Sequence, residues 1–168
     1  TYTSYDGSTW FAASDNLVKY YLDPRTYLGS SDTVFAFEKL SYDSSQTRSG
    51  VEAILSGSFM YNSKPAGSSS TYSSIIITAA QKSGVSPYHI ASRIKQEVGS
   101  TMTSGTNGKN KTYPGIYNFY NIGAFESAAG NAITNGLKWA SSGNTYNRPW
   151  KSASKSIIGG AMYIGESY

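Results

Sequence analysis

The chain has 168 residues, of which 39% are hydrophobic, so it is long enough to bury one substantial core. It contains no cysteine and a single histidine, His89, which excludes a disulfide framework, thiol nucleophiles and cysteine- or multi-histidine-ligated metal sites. The formal net charge of +4 favours anionic partners, but the basic residues are scattered and leave no nucleic-acid footprint. No run approaches the roughly 20 apolar residues of a membrane span, which predicts no membrane insertion.

Uncharged polar and aromatic residues dominate the rest of the composition. Only 14% of the residues are charged, whereas the chain carries 15 tyrosines and 3 tryptophans. Aromatic rings can stack on sugar faces, and amides and hydroxyls can bond sugar hydroxyls. The composition therefore favours an extracellular protein that meets sugars, and an anionic wall polymer suits the net charge. The sequence starts abruptly at Thr1 and shows no signal peptide, so we expect a processed protein or an excised domain of a larger one.

Four helices are predicted in the first half of the chain. The first covers 10–21 and is ended by Asp23-Pro24, and a short second helix covers 32–40. Ser49 and Glu52 match a capping box that opens the third helix. The fourth covers 71–82 and is apolar enough to be mostly buried.

The most informative helix follows, in the stretch SPYHIASRIKQEVG at 86–99. Ser86 is a good N-cap, Pro87 suits the first helical position, and Gly99 can end the helix. Glu97 falls on the apolar face that Ile90 and Ile94 form. Burial and the negative end of the helix dipole both disfavour an ionised carboxylate there. The sequence thus predicts a protonated glutamic acid, which is the form a general acid needs, although a glutamate reaching out to solvent is the alternative.

The second half mixes loops and helices. A polar loop at 100–111 is predicted to be a mobile rim or lid beside Glu97, and 113–125 is strand-like or irregular. Helices follow at 131–140 and from Pro149 to Ile164, and Gly159-Gly160 inside the last one indicates close helix packing. The pattern has no βαβ alternation, so the predicted fold class is α+β and mostly helical.

Two short motifs are chance matches. Ser152 and Lys155 form the S-x-x-K pattern of penicillin-binding enzymes, and the segment from Ser14 to Asn16 matches a second motif of that set. Their order is reversed and no K-T-G follows, so we reject an acylating serine.

The aromatic strip at 112–127 carries the remaining candidates. Its rings are interleaved with Asn118 and Asn121, and Tyr117, Tyr120 and Phe125 are candidate sugar platforms or core residues. Glu126 comes 29 positions after Glu97 and is the only carboxylate between Glu97 and Glu166. If glycoside chemistry requires a second carboxylate near Glu97, Glu126 is the candidate by elimination.

Several stretches in consistent order resemble the endo-β-N-acetylglucosaminidase domains of bacterial cell-wall autolysins, glycoside hydrolase family 73, clostridial and staphylococcal type. They cover nearly the whole chain and comprise YYLDPRTYL (20–28), VFAFEKLSY (34–42), GVEAILSGSFM (50–60), SPYHIASRIKQEVG (86–99), YNFYNIGAF (117–125), NGLKWA (135–140) and SIIGGAMYI (156–164).

This resemblance implies a lysozyme-like α+β fold with a substrate groove and a small irregular or β lobe. It implies a single catalytic domain over 1–168, excised from a larger secreted autolysin. The implied reaction is hydrolysis of the β-1,4 bond between N-acetylglucosamine and N-acetylmuramic acid in peptidoglycan, with Glu97 as general acid. No cofactor or metal is implied, and we expect a monomer that is secreted and associated with the cell wall.

The resemblance also suggests groove residues. Tyr117, Asn118 and Tyr120 match the family's Y-N-[LF]-F-G-I motif, and Asn121 replaces its glycine. Trp150 falls where other members keep an aromatic near the groove. The alternatives are a lytic transglycosylase or muramidase of lysozyme-like fold and a non-catalytic wall-binding module. An amidase or endopeptidase is disfavoured, because zinc or thiol ligands are lacking.

Overall fold

The computed structural model describes residues 4–6, 10–31, 33, 37–128 and 130–166. The chain divides into two compact units, Thr1–Lys39 and Leu40–Tyr168, and each is described by itself. The prediction that 1–168 forms a single catalytic domain stays a prediction. None of the helices in the described residues combines the length and apolarity needed to cross a bilayer.

The first unit is built from short elements. Strands β1 (Ser4–Asp6) and β2 (Trp10–Phe11) pair antiparallel, and helices α1 (Asp15–Leu22) and α2 (Arg25–Leu28) follow. The predicted helix at 10–21 therefore ends at the expected place but begins five residues late. Ser14 is its N-cap and accepts a hydrogen bond from the Leu17 amide, which explains the S-D-N match as a helix start.

The predicted helix at 32–40 is not an α-helix where the structure describes it. Asp32 and residues 34–36 lie outside the described residues, and 37–40 contain no α-helical residue. The short helix α2, which lies directly after Asp23-Pro24, was not predicted. Its first residue, Arg25, donates hydrogen bonds from its backbone and its guanidinium to the Asp23 carboxylate.

The second unit contains five helices among its described residues. They are α3 (Arg48–Leu55), α4 (Tyr72–Ser83), α5 (Pro87–Val98), α6 (Ala132–Ser141) and α7 (Ala153–Gly165). Helix α4 packs most extensively on α7, and α5 packs on α3 and α4. The mostly helical character predicted from the sequence is confirmed.

Buried apolar side chains from all of α3, α4, α5 and α7 form the main core of this unit. Val51, Ile76, Ile90, Ile94 and Ile157 are fully buried within it. A smaller core lies under α6, where Leu137 and Ala140 pack with Ile116 and Trp150. Burial on this scale supplies the main stabilisation of such a fold, at roughly 25 cal/mol per Å² of apolar surface.

The third predicted helix begins two residues earlier than expected. Thr47, not Ser49, is the N-cap of α3, and its hydroxyl accepts a hydrogen bond from the Gly50 amide. Glu52 therefore has no capping function. Its carboxylate instead accepts hydrogen bonds from the Asn62 amide and the Ser73 hydroxyl, and so ties α3 to α4.

The last helix begins later than predicted. Pro149 precedes it, and Ser152 is the N-cap of α7, accepting a hydrogen bond from the Lys155 amide. The S-x-x-K match is thus a helix cap. Gly159 and Gly160 lie where α7 is closely covered: a Cβ at Gly160 would meet the ring of Tyr120. The glycine pair thus does mark a close contact of α7, but the nearest atoms belong to loop residues and not to a second helix.

Candidate active site

Glu97 lies in the last turn of α5. Ser86 caps the start of the helix by accepting a hydrogen bond from the His89 amide, and Pro87 occupies its first turn. Gly99 follows the end with φ +70°, a conformation that a residue without a side chain adopts readily. Ile94 and Val98 are buried, whereas Glu97 is partly buried and lies at the edge of the apolar face. The helix thus holds a carboxylate between core and solvent.

The side chain of Asn121 contacts this carboxylate directly. Its Nδ2 donates one hydrogen bond to Oε2 of Glu97, at 3.2 Å, and another to the backbone oxygen of Glu97, at 2.9 Å. Asn121 has φ +51°, a left-handed conformation in which asparagine is tolerated far better than most residues other than glycine. This explains why asparagine can stand where the family motif has glycine. It also adds an amide donor to the carboxylate.

Asn118 builds the turn that presents Asn121. It is 3% exposed, and its Nδ2 donates to the backbone oxygens of Ile122 and Gly136. Its Oδ1 accepts a hydrogen bond from the Ile122 amide at 3.2 Å. Asn118 is therefore buried in this structure, and the direct contact with a substrate that the sequence suggested stays a prediction. Its amide group is used to fix the loop on α6.

Tyr120 is likewise a core residue. It is 3% exposed, its hydroxyl donates to the backbone oxygen of Ile157 at 2.8 Å, and its ring packs on Gly160. Burial raises the pKa of Tyr120, so the phenol stays neutral. Tyr120 thus has almost no surface open to a ligand in this structure, and the prediction that it lines the groove stays a prediction. Tyr120 instead anchors the loop at 117–123 to α7.

The neighbouring Phe119 strengthens this anchor. Its backbone amide donates to the hydroxyl of Ser156, and both residues are fully buried. Ser156 is a positioning contact that the sequence did not reveal, because a serine within a helix gives no signal of a partner 37 positions away. With Tyr120 and Asn118, it fixes the segment that carries Asn121.

Trp150 is fully buried as well. Its indole nitrogen donates to the backbone oxygen of Tyr146 at 2.7 Å, and its ring meets that of Trp139 edge to face. Direct contact of Trp150 with a glycan, expected from the resemblance, stays a prediction. The backbone oxygen of Trp150 accepts a hydrogen bond from the Tyr117 backbone amide. Trp150 thus fixes the backbone of the aromatic strip at Tyr117.

Two of the predicted aromatic platforms keep at least part of their side chain exposed to solvent. Phe125 is 63% exposed, and Tyr117 is partly buried. Tyr117 also lines a cavity of about 280 Å³ between the loop after α3, the loop at 100–111 and the starts of α4 and α7. Among the aromatic residues proposed from the sequence, these two have surface available for a sugar ring.

The loop at 100–111 is more closely packed than a free lid. Gly105 and Thr106 are buried, and the Thr106 hydroxyl accepts a hydrogen bond from the Thr103 amide. The Asn118 amide donates to the backbone oxygen of Gly105, which joins this loop to the aromatic strip. Its mobility stays a prediction.

Glu126 is exposed, and its carboxylate lies at the N-terminus of α6. Its Oε1 accepts a hydrogen bond from the amide of Ala132, the first residue of that helix, at 3.0 Å. A negative charge is favourable there because of the unpaired amides and the helix dipole. Glu126 therefore has a structural role that the sequence did not reveal, next to the chemical role proposed for it.

A second, more open depression of about 540 Å³ lies on α3 and includes Arg48, Glu52 and Tyr61. None of the catalytic or substrate-binding residues predicted from the sequence lines this depression. Glu97 lines neither this depression nor the smaller cavity at Tyr117. The candidate site is therefore defined by the contact between Glu97 and Asn121, and not by either of these two concavities.

Comparison with known proteins finds similarity to bacterial proteins named as a glucosaminidase and as autolysins. It is 29% identical to the beta-N-acetylglucosaminidase of Bacillus subtilis (strain 168) over 160 residues, which cover 95% of this chain and 16% of that protein. It is also 29% identical to the bifunctional autolysin of Staphylococcus epidermidis over 167 residues, covering 95% of this chain and 11% of that protein. The chain thus spans about a tenth to a sixth of the length of these relatives. No protein-family model matches it.

Solved structures show the same fold. A crystal structure of a major bifunctional autolysin superposes with a TM-score of 0.68 at 21% identity, covering 97% of this chain and 62% of that one. The S. aureus glucosaminidase B structure gives a TM-score of 0.71 at 20% identity, covering 98% and 60%. The resemblance to autolysin glucosaminidases that the sequence carries is thereby confirmed: in sequence and in fold the chain is a relative of bacterial autolysins and β-N-acetylglucosaminidases.

Proposed function

We propose that the chain is a peptidoglycan hydrolase that cleaves the β-1,4 bond between N-acetylglucosamine and N-acetylmuramic acid. Glu97 acts as the general acid that protonates the leaving oxygen. The observation that carries the proposal is the geometry of this one carboxylate. It is partly buried at the end of α5 and oriented by the side-chain amide of Asn121.

The hydrogen bond from Asn121 also indicates which oxygen carries the proton. Nδ2 is a donor, so Oε2 of Glu97 must accept. This favours Oε1 as the oxygen that carries the proton in the protonated acid, because the carbonyl oxygen of a carboxyl group accepts better than its hydroxyl oxygen. We propose that Oε1 donates this proton to the glycosidic oxygen. The second bond, from Nδ2 to the backbone oxygen of Glu97, holds the amide and so limits rotation of the carboxyl group. Such pre-orientation is what general acid catalysis requires.

Substrate is proposed to be held by the aromatic residues with free surface. Tyr117 and Phe125 offer ring faces to sugar rings, while Asn118, Tyr120 and Trp150 hold the loop in place from the core. We also propose that the glycan strand lies in a lysozyme-like groove that passes over Glu97. The names of the relatives support the same substrate class.

The proposed setting is extracellular and associated with the cell wall, with peptidoglycan glycan strands as the partner. Anionic wall polymers are a second proposed partner, because the chain carries a net charge of +4. We expect the chain to act as a monomer and without cofactor.

The test is digestion of purified peptidoglycan followed by mass spectrometry of the fragments. Wild type should release fragments that end in reducing N-acetylglucosamine. Glu97→Gln should keep the fold and lower turnover by at least roughly 10²–10⁴-fold. Glu166→Gln is the matched control, since Glu166 is exposed and glutamine keeps the oxygen that accepts from Tyr146.

Three results would contradict the proposal. A folded Glu97→Gln protein with activity within a few-fold of wild type would exclude Glu97 as the acid. A 1,6-anhydro end would identify a lytic transglycosylase. Binding of the glycan without any turnover would identify a wall-binding module.

A further inference from the structure

We infer that the cavity at Tyr117 is a binding subsite for a carboxylate-bearing, N-acetylated sugar unit, and that Lys109 provides its charge recognition. This inference rests on the proposed function, since it concerns the substrate of the same protein. It adds a contact that neither the sequence motifs nor the relatives assign.

The walls of this cavity are largely apolar. Pro65, Ala66, Met102 and Ala153 contribute aliphatic surface, and Tyr117 contributes an aromatic ring. Its volume of about 280 Å³ is close to the lower end of ordinary ligand pockets, roughly 300 Å³. Surfaces of this kind suit the methyl of an acetamido group and the face of a sugar ring.

Tyr72 keeps one wall neutral. It is 1% exposed, and burial, with a smaller contribution from Tyr117, raises the pKa of Tyr72 to about 12. A tyrosine with the ordinary pKa near 10 is already protonated at physiological pH, and the raised pKa keeps this phenol neutral to still higher pH. The wall offers no negative charge there that would repel an anion.

Lys109 is the only charged side chain among the nine residues that line the cavity. Its side chain is exposed, but its backbone is fixed, because the Lys109 amide donates to Oδ1 of Asn107 at 2.8 Å. Next to it, the Gly115 amide donates to the backbone oxygen of Gly108, which closes the same loop. A well-bonded turn thus holds the backbone from which the Lys109 side chain extends at the cavity.

An apolar cavity with one cation discriminates between the two sugars of peptidoglycan. Both carry an acetamido group, but only muramic acid carries a lactyl carboxyl. In stripped glycan strands this carboxylate is free, whereas in intact strands it is linked to a peptide that bears carboxylates of its own. Either source provides the anion that Lys109 would pair with.

The test measures binding to Glu97→Gln protein by calorimetry, so that turnover does not interfere. Three probes are used: neutral N-acetylglucosamine oligomers, peptide-free glycan strands and peptide-bearing strands. Adding Lys109→Gln should weaken binding of at least one anionic strand about two- to fivefold more than binding of the neutral oligomer. The anionic strand with the larger loss identifies the source of the carboxylate, and the loss should shrink at high salt.

Lys111→Gln is the matched control, because Lys111 is exposed in the same loop and does not line the cavity. A second variant, Ala66→Trp, fills the cavity from its exposed rim and should weaken binding of every probe. Ser69→Trp, exposed in the same loop as Ala66 but outside the cavity lining, controls for added bulk.

Equal effects of Lys109→Gln and Lys111→Gln on all three probes would overturn the charge recognition. Unchanged binding by Ala66→Trp would overturn the subsite itself. Neither result bears on hydrolysis, which wild-type digestion tests separately. If wild type cleaves no glycan but Lys109→Gln selectively weakens anionic strands, the subsite stands and the proposed hydrolase activity fails.

Discussion

The amide of Asn121 bridges two atoms of Glu97, donating to Oε2 at 3.2 Å and to the backbone oxygen at 2.9 Å. One side chain therefore fixes both the carboxylate and the end of the helix that carries it. Asn121 does so from a left-handed conformation, at φ +51°. This relationship makes Asn121 a positioning residue for the proposed acid.

Replacing Asn121 with glycine tests this role cleanly. Glycine suits the positive φ, so the melting temperature of Asn121→Gly should stay the same or rise slightly. Loss of the donor should lower kcat about three- to tenfold, less than for a buried charge-assisted bond because Asn121 is exposed. KM should change little, since the proposed contact is with Glu97 and not with substrate.

Asn121→Asp provides the opposite perturbation. It keeps the size of the side chain but replaces the donor with a second carboxylate beside Glu97. We expect a larger loss of kcat than for glycine. A rise in KM with unchanged kcat for both variants would instead show that Asn121 contacts the glycan.

The start of a helix could be predicted from the sequence where a single N-cap residue marks it. Ser86 accepts a hydrogen bond from the His89 amide, as predicted. Thr71 and Asn131, at which the predicted helices 71–82 and 131–140 begin, also each accept a hydrogen bond from an amide three residues later. At Ser14 and Ser152, two motif matches that were rejected as chance prove to be helix caps, which were not predicted. At Thr47 the N-cap was missed, because Ser49 and Glu52 offered a competing capping box.

The site was less predictable because its packing depends on distant partners. Tyr120 and Trp150 have polar groups that read as surface features, but their donors are satisfied by the backbone of Ile157 and Tyr146. A sequence cannot reveal such pairs without knowing which loop crosses α7. The contact of Asn121 with Glu97 spans 24 positions and is hidden for the same reason.

Tyr117 and Tyr120 should respond differently to truncation. Tyr120 is buried on Gly160, so Tyr120→Ala should cost roughly 3–5 kcal/mol of unfolding free energy. Tyr117 is only partly buried, so Tyr117→Ala should weaken hydrolysis more than it lowers the melting temperature. Thermal denaturation and turnover of a soluble glycan measure the two effects. Equal destabilisation by both would place Tyr117 in the core instead.

The buried phenol of Tyr72 predicts a loss of stability at alkaline pH. Its pKa is raised from an ordinary value near 10 to about 12, chiefly by burial. Above pH 10 the unfolded chain releases this proton while the folded protein retains it, so unfolding becomes easier as pH rises towards 12. The contribution lost over this window is up to about 2 kcal/mol.

Tyr72→Phe should remove this part of the pH dependence. Phenylalanine can keep the ring contacts with Phe59 and Phe119, so stability at pH 7 should change little. Urea denaturation at pH 8, 10 and 11.5 would compare the two proteins. Parallel loss of stability in both would mean that Tyr72 ionises as readily in the folded state as in the unfolded chain.

Gly160→Ala should destabilise the protein, although alanine is normally the better helix former by about 1 kcal/mol. A Cβ at Gly160 would meet the Tyr120 ring, so α7 or the anchored loop must shift. We expect a net loss of about 1–3 kcal/mol and reduced turnover, because the same loop carries Asn121. Gly29→Ala is the control: among the described residues other than Gly29 and its chain neighbours, no heavy atom lies within 4 Å of the added Cβ, and φ is −83°. A stabilised Gly160→Ala protein would contradict the close packing.

The role of Glu126 in activating water is decided by separating its two functions. Its Oε1 accepts a hydrogen bond from the Ala132 amide, and glutamine keeps such an oxygen. Glu126→Gln should therefore retain the cap of α6, whereas Glu126→Ala should lose about 0.5–1 kcal/mol of stability. If Glu126 is the base, Glu126→Gln loses about 10²-fold or more in kcat without unfolding.

The stereochemistry of the product completes this prediction. A base acting through water inverts the anomeric carbon, so the first-formed sugar is the α-anomer, with the two carboxyl groups roughly 6.5–9.5 Å apart. Assistance by the acetamido group of N-acetylglucosamine instead retains configuration and needs no second carboxylate as base. We expect inversion, read by NMR of the fresh product on a soluble glycan. A β-anomer would exclude direct inversion, and unchanged kcat in Glu126→Gln would leave Glu126 with its structural role at α6 alone.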